Sequence, residues 1–251
     1  MSKAGQSDHL SDSRRGLRYE AWVRGELQAE ISKNKLLTEA RCAKGPIARV
    51  GQDGEQIDLI IALGNILIVG EVKCFLYPIE ASEHYDYLRK LREAGVQATR
   101  KAKWLSENRA EVAGALGITM EWARTLRPIP ITVTNQGAGF GLALGGSRVV
   151  DFHFLRVYLS TGEYLAGMAV HREKKQAIEH YEPLYRSEQE AADKFEGTME
   201  DPPPLRRYLR AAVWRDSEFP TSDGTNMKVE FCLLGDAFTR DAETAAAILN
   251  Q

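Results

Sequence analysis

The chain has 251 residues, 43% of them hydrophobic and 27% charged, with a formal net charge of −2. That balance excludes wholesale disorder and fits one large domain, or a core with a smaller appendage, at the usual roughly 100–200 residues per domain. It also excludes a protein that coats nucleic acid through bulk positive charge, so any such contact must come from local, salt-sensitive basic patches.

In chain order, the first fifteen residues (MSKAGQSDHLSDSRR) are polar and lack the apolar core of a signal peptide. Residues 1–14 are expected to be a disordered arm, and the chain to be cytoplasmic. Residues 15–33 read as a helix with Val23, Leu27 and Ile31 on one stripe, and 36–42 as a first strand ending at Gly45-Pro46. The passage from Asp53 to Cys74, DGEQIDLIIALGNILIVGEVKC, holds two apolar β-rich runs about Gly64-Asn65, a two-residue hairpin signal. A long amphipathic helix is expected over 83–108, with Leu88, Leu91, Ala94, Ala98, Ala102 and Leu105 near one face.

A strand over 128–134 comes next, then the glycine-rich NQGAGFGLALGG. No lysine follows its Gly137, Gly139 and Gly141, so a plain flexible loop is expected rather than a phosphate-binding one. A strand over 149–159 follows. Beyond residue 170 the texture is that of a charged helix, then a triple proline at 202–204 and a short strand near 228–234. The fold class is therefore α/β, a central mixed β-sheet flanked by helices over about 15–165, with a C-terminal α+β elaboration over 166–251. No apolar run approaches the ~18 residues of a membrane span. The three cysteines form no C-x-x-C pair and the five histidines show no ligand spacing, so neither a disulfide framework nor a zinc site is expected.

The chemistry lies in the hairpin. A turn centred on Gly64-Asn65 makes Ala62 face Leu67 and Ile60 face Val69, and counting on sets Asp58 opposite Glu71. Opposed residues share a face with Cβ atoms about 5 Å apart, and Lys73, two residues on, returns to that face. Two like charges opposed inside an apolar hairpin destabilise it. A divalent cation would relieve the conflict, since hard Mg²⁺ takes oxygen ligands and keeps several waters. The E-x-K pattern alone is a weak signal, because Glu173-Lys174-Lys175 repeats it. Solvated carboxylates at a sheet rim are the alternative, and the register and apolar surroundings favour the metal site.

The stretch QIDLIIALGNILIVGEVKC resembles the PD-(D/E)XK nuclease superfamily, the restriction-endonuclease-like fold, in its nuclease-related (NERD-like) and Holliday-resolvase-like branches. Asp58 matches the first acid of that motif, Glu71 the second and Lys73 the lysine; Ile57 stands where a proline often precedes the acid. The resemblance implies a further glutamate on the preceding helix. Glu20 in GLRYEAWVRGEL is the candidate, with Glu26, on the opposite face, a weaker one. It also implies a Gln or Lys on the helix after the E-x-K strand, for which VQATRKAKWL offers Gln97 and Lys101, four apart on one face.

The expected catalytic set is thus Asp58, Glu71, Lys73, Gln97 and Lys101, with Asp58, Glu71 and Glu20 holding Mg²⁺ (Mn²⁺ as substitute). The expected function is Mg²⁺-dependent hydrolysis of DNA phosphodiester bonds, and the resemblance implies 5′-phosphate products and a role in defence, restriction or repair. RNA as substrate stays open, as does a homodimer or larger protein assembly. The alternative is an inactive nuclease-fold module that binds nucleic acid or a protein partner. Arg14, Arg15 and Arg18, then Arg100, Lys101 and Lys103, then Arg206, Arg207 and Arg210 are the basic groups that could meet phosphates, or simply be solvated faces.

Overall fold

The computed structural model of the chain describes residues 4–48, 56–171, 176–220 and 226–234. These fall into two compact units, Met1–Glu163 with Pro183–Glu200, and Tyr164–Glu182 with Asp201–Gln251. The boundary expected near 165 is therefore crossed once more, because 183–200 return to the first unit.

The first unit opens with α1 (Ala4–Lys33), followed by β1 (Arg41–Cys42), β2 (Ile47–Ala48), β3 (Gln56–Ile57), β4 (Leu59–Leu63) and β5 (Ile66–Lys73). Then come α2 (Ala81–Glu107), α3 (Arg109–Leu116), α4 (Met120–Thr125), β6 (Arg127–Thr134), β7 (Ala143–Leu144), β8 (Ser147–Asp151) and α5 (Phe152–Ser160). Six strands form one mixed sheet in the order β1-β4-β5-β6-β8-β7, and β2 pairs with β3 apart from it. The β4–β5 and β1–β4 pairs are antiparallel, whereas β5–β6 and β6–β8 are parallel. The molecule is thus an α/β protein with a central mixed sheet flanked by helices. No described helix is long and apolar enough to cross a membrane.

Burial explains the hairpin. Every residue of β4, and all of β5 except Lys73, is buried, as expected of strands covered on both faces. Gly64 turns the chain with φ +53°, and the observed partners are Ile60↔Val69, Ala62↔Leu67 and Leu63↔Ile66, the expected register. α1 buries Val23, Leu27 and Ile31. It begins at Ala4, so most of the segment expected as a disordered arm continues the helix.

α2 covers the sheet with Tyr87, Leu91, Ala94, Gly95, Ala98, Lys101, Ala102 and Leu105. Leu88 is exposed and Tyr87 takes the buried place expected for it, because the Tyr87 hydroxyl donates to the Ala138 carbonyl at 2.8 Å and its ring meets Phe75 edge-on. The glycine-rich stretch is more than a flexible loop, since its last part forms the β7–β8 hairpin. A Cβ on Gly95 would lie 1.9 Å from the Leu144 carbonyl oxygen, so only glycine lets α2 approach this turn. Gly95→Ala should cost about 1–3 kcal/mol, a fall of several degrees in the thermal midpoint. Gly114→Ala, on open surface of α3, should be neutral or slightly stabilising. Equal midpoints for the two variants would contradict this packing.

Two expectations are corrected. The strand expected over 149–159 ends at Asp151, whose carboxylate accepts from the Phe154 N–H at 3.0 Å and caps α5. Phe152, Leu155 and Leu159 then recur at helical spacing and are buried. The charged helix expected after 170 is instead β9 (Glu163–His171) and β10 (Gln176–Pro183), which pair, and helix starts only at α6 (Glu188–Glu200). α6 returns Ala191, Ala192, Phe195 and Met199 to the core of the first unit. Glu173 and Lys175, the other E-x-K, lie outside the described residues.

The second unit holds the β9–β10 pair, α7 (Pro203–Ala211), β11 (Ala212–Pro220) and β12 (Asn226–Leu234). Pro203 opens α7, where a proline costs no hydrogen bond. β11 and β12 are antiparallel from Ala212↔Leu234 to Pro220↔Asn226, which lengthens the strand expected near 228–234 and supplies its partner.

Candidate active site

Asp58 sits at the joint between β3 and β4, one step beyond the Leu59↔Gly70 pair, and this brings it opposite Glu71. Its Oδ2 accepts from the Val72 N–H at 3.0 Å, and its carbonyl oxygen accepts from Arg24 Nη1 at 2.7 Å. Glu71, on β5, meets Lys73 Nζ through Oε1 at 2.6 Å and Lys101 Nζ through Oε2. Lys101 Nζ is also 3.7 Å from Asp58 Oδ1. Asp58, Glu71 and Lys101 are only 5%, 3% and 3% exposed. The Lys73 side chain, at 34%, is the member that reaches solvent.

The cluster is electrically coupled. Burial, then the Glu71 charge, push the Asp58 carboxyl up to about 7, against the pull of Lys101 and the Val72 N–H. Burial alone would lower the Lys73 ammonium, but Glu71, with Asp58 and Glu20 behind it, outweighs this and the net shift is upward. Glu20 is half-buried on α1 and is raised chiefly by burial; it also feels the charges of Lys73, Glu71, Arg24 and Lys101.

A sign follows for stability. Folded Asp58 holds its proton to about 7 against an ordinary value of 3.8, so between those values the folded state binds more protons than the unfolded one. This group therefore erodes stability as pH rises across that window and adds no further loss above it. Without metal, Asp58→Asn should raise the thermal midpoint at pH 8 by several degrees, with the gain shrinking toward pH 5. A gain that is larger at pH 5 than at pH 8 would contradict the assignment.

No protein-family model, curated protein or solved structure matches the chain. The site's chemistry is therefore read from its own geometry.

Of the expected site residues, Asp58, Glu71, Lys73 and Lys101 meet directly, and Glu20 lies within their field. Glu26 points elsewhere, to Arg156 at 3.9 Å. Gln97, one turn before Lys101, is half-buried and takes no part in the cluster's hydrogen bonds among the described residues. Arg24 was not anticipated. It follows Glu20 by one helical turn, is 8% exposed and anchors α1 to the Asp58 backbone. Its sequence signal was the i, i+4 spacing from Glu20 on the stripe that docks on the sheet.

The basic groups divide. Arg14 and Arg18 are exposed on α1, and Arg100 and Lys103 are exposed on α2 beside buried Lys101. Arg206, in the second unit, is held by Asp201 at 2.8 Å. Cys42 and Cys74 are free thiols. A cavity of about 710 Å³ lies elsewhere, lined by Leu37, Arg41, Cys42, Lys44, Pro46 and Leu116 among others. Arg41 there donates to the Thr38 and Ala40 carbonyls. The charged cluster is the better candidate centre, because there two buried carboxylates and a buried lysine converge.

Asp58 Oδ1 and Glu71 Oε2 converge on one cationic centre, and hard oxygen donors of this kind suit Mg²⁺ or Mn²⁺. Among the described residues no three acidic, histidine or cysteine side chains group as a metal-binding set, so Glu20 does not close a three-carboxylate cage with the pair. The donor chemistry fits a divalent ion held by two carboxylates and waters.

Proposed function

We propose that the first unit is a restriction-endonuclease-like core and that the protein is a metal-dependent nuclease hydrolysing DNA phosphodiester bonds, in defence, restriction or repair. The observation that carries this reading is the buried Asp58–Glu71 pair, opposed across a hairpin with Lys73 on the same face. A charged set this deeply buried is costly to build even when paired, and such sets concentrate at functional sites.

Asp58 and Glu71 would hold Mg²⁺, with Glu20 nearby to receive a water. When bound, such an ion polarises the phosphate and lowers the pKa of water. Lys73 reaches solvent while tied to Glu71, so its ammonium can align the attacking water and balance charge growing on the phosphate. The water oxygen bonds to phosphorus and gives up a proton to solvent. The bond to the 3′ oxygen breaks, that oxygen takes a proton from solvent, and a 5′-phosphate and a 3′-hydroxyl result. Lys101, on α2, sits within this centre, and Gln97, one turn before it, would contact the water or substrate. Arg14, Arg18, Arg100 and Lys103, exposed on α1 and α2, would supply charge for the DNA backbone.

One observation favours a second reading, an inactive module that binds nucleic acid or a protein partner: Lys101 already neutralises the carboxylates. The test is incubation of plasmid and single-stranded DNA with Mg²⁺, with Mn²⁺ and with EDTA. Cleavage in the first two alone is expected, and intact DNA under all three conditions rejects the enzyme.

A further inference from the structure

The acid oxygens of the cluster are shared out in a way that singles out Lys101. Asp58 Oδ2 is taken by the Val72 N–H at 3.0 Å, and Glu71 Oε1 by Lys73 at 2.6 Å. The two oxygens left to bind an ion jointly are Asp58 Oδ1 and Glu71 Oε2. Both face the Lys101 ammonium, which hydrogen-bonds Glu71 and stands 3.7 Å from Asp58. Lysines are almost never fully buried unless paired, and Lys101 is 3% exposed. Its charge meets the like-charge conflict of the hairpin from within the protein.

We infer that Lys101 is a positioning residue that stands in for the divalent cation in the metal-free protein and must withdraw from Glu71 for the ion to bind. This rests on the nuclease reading and adds the control of its metal site. An ammonium and a divalent ion cannot share the space between the same two oxygens, since their repulsion at contact distance in a buried site is large. Lys73 has no such conflict, because it holds the other oxygen of Glu71 from the solvent side. Loading is then an exchange, ion in and ammonium out, helped by the flexible four-carbon stem of lysine. The exchange weakens metal affinity while keeping the two carboxylates converged before the ion arrives.

The test is Mn²⁺ binding, measured from the electron paramagnetic resonance of free ion, for wild type, Lys101→Met and Lys101→Gln. Both variants should bind at least tenfold more tightly than wild type. They should be less stable than wild type without metal and regain more on adding it; a merely structural lysine would lower stability without tightening binding. Should the variants fail to fold, wild type alone decides through lysine labelling read by mass spectrometry. Lys101 should be protected without metal and labelled once Mn²⁺ is bound. Variants that bind Mn²⁺ no more tightly than wild type, or a Lys101 equally protected with the ion bound, overturn the inference and leave the nuclease reading standing. Folded wild type and variants that all ignore millimolar Mn²⁺ overturn both.

Discussion

Asp58→Ala is expected to abolish cleavage, by roughly 10³-fold or more, while the protein still folds. Residues that act as one unit lose nearly the whole effect when a single member goes, and Asp58 is one of the two carboxylates proposed to hold the ion. The structure also refines what the change does to stability. Asp58 is not simply opposed to Glu71: it accepts from the Val72 N–H and faces Lys101. Truncation removes a desolvated charge but orphans a buried N–H, which costs about 1–3 kcal/mol. These effects oppose each other, so the midpoint should move little, and Asp58→Asn is the cleaner stabilising variant. The checks are plasmid cleavage in Mg²⁺ and thermal unfolding on the same preparation. Wild-type cleavage by folded Asp58→Ala would remove this site from the chemistry.

Lys73→Ala is the second large effect. Lys73 is no ligand, and its side chain reaches solvent where those of Asp58, Glu71 and Lys101 are buried. Its loss should lower the cleavage rate by about 10²–10³-fold, the usual cost of one well-placed electrostatic group, while changing Mn²⁺ affinity far less. Loss of a positive neighbour should, if anything, tighten metal binding slightly. Single-turnover cleavage at saturating Mg²⁺ separates the two quantities. Full activity in Lys73→Ala would retract the role given to the lysine and leave the carboxylates untouched.

The hairpin was legible in the sequence because its signals are local. Gly64-Asn65 sets the turn, the period-2 side-chain alternation sets the faces, and arithmetic then opposes Asp58 and Glu71. Glu20 was separable from Glu26 by its place on the Val23–Leu27–Ile31 stripe, and Glu26 duly meets Arg156 instead. Misreadings arose where local pattern is ambiguous or a distant partner decides. Residues 149–159 are mostly apolar, so strand and helix periods both fit; the sign of the helix is Asp151, which breaks the run and caps it. Residues 171–183 are rich in Lys, Glu, Gln and Ala, good helix formers, yet pairing between β9 and β10 prevails over propensity. No periodicity could show that Arg24 would reach the Asp58 carbonyl, or that Lys101 would fill the place expected for a metal. Both contacts exist only once α1 and α2 have docked on β4 and β5.

The most direct measurement is the Mg²⁺-dependent cleavage rate of Glu71→Gln beside wild type, purified identically and shown to be folded. Glutamine keeps the shape of the side chain and one oxygen but removes the charge that binds Lys73, Lys101 and the proposed ion. Cleavage by wild type that vanishes in EDTA and falls by roughly 10³-fold or more in Glu71→Gln is the predicted result. Cleavage by Glu71→Gln at the wild-type rate would contradict the nuclease assignment of this site.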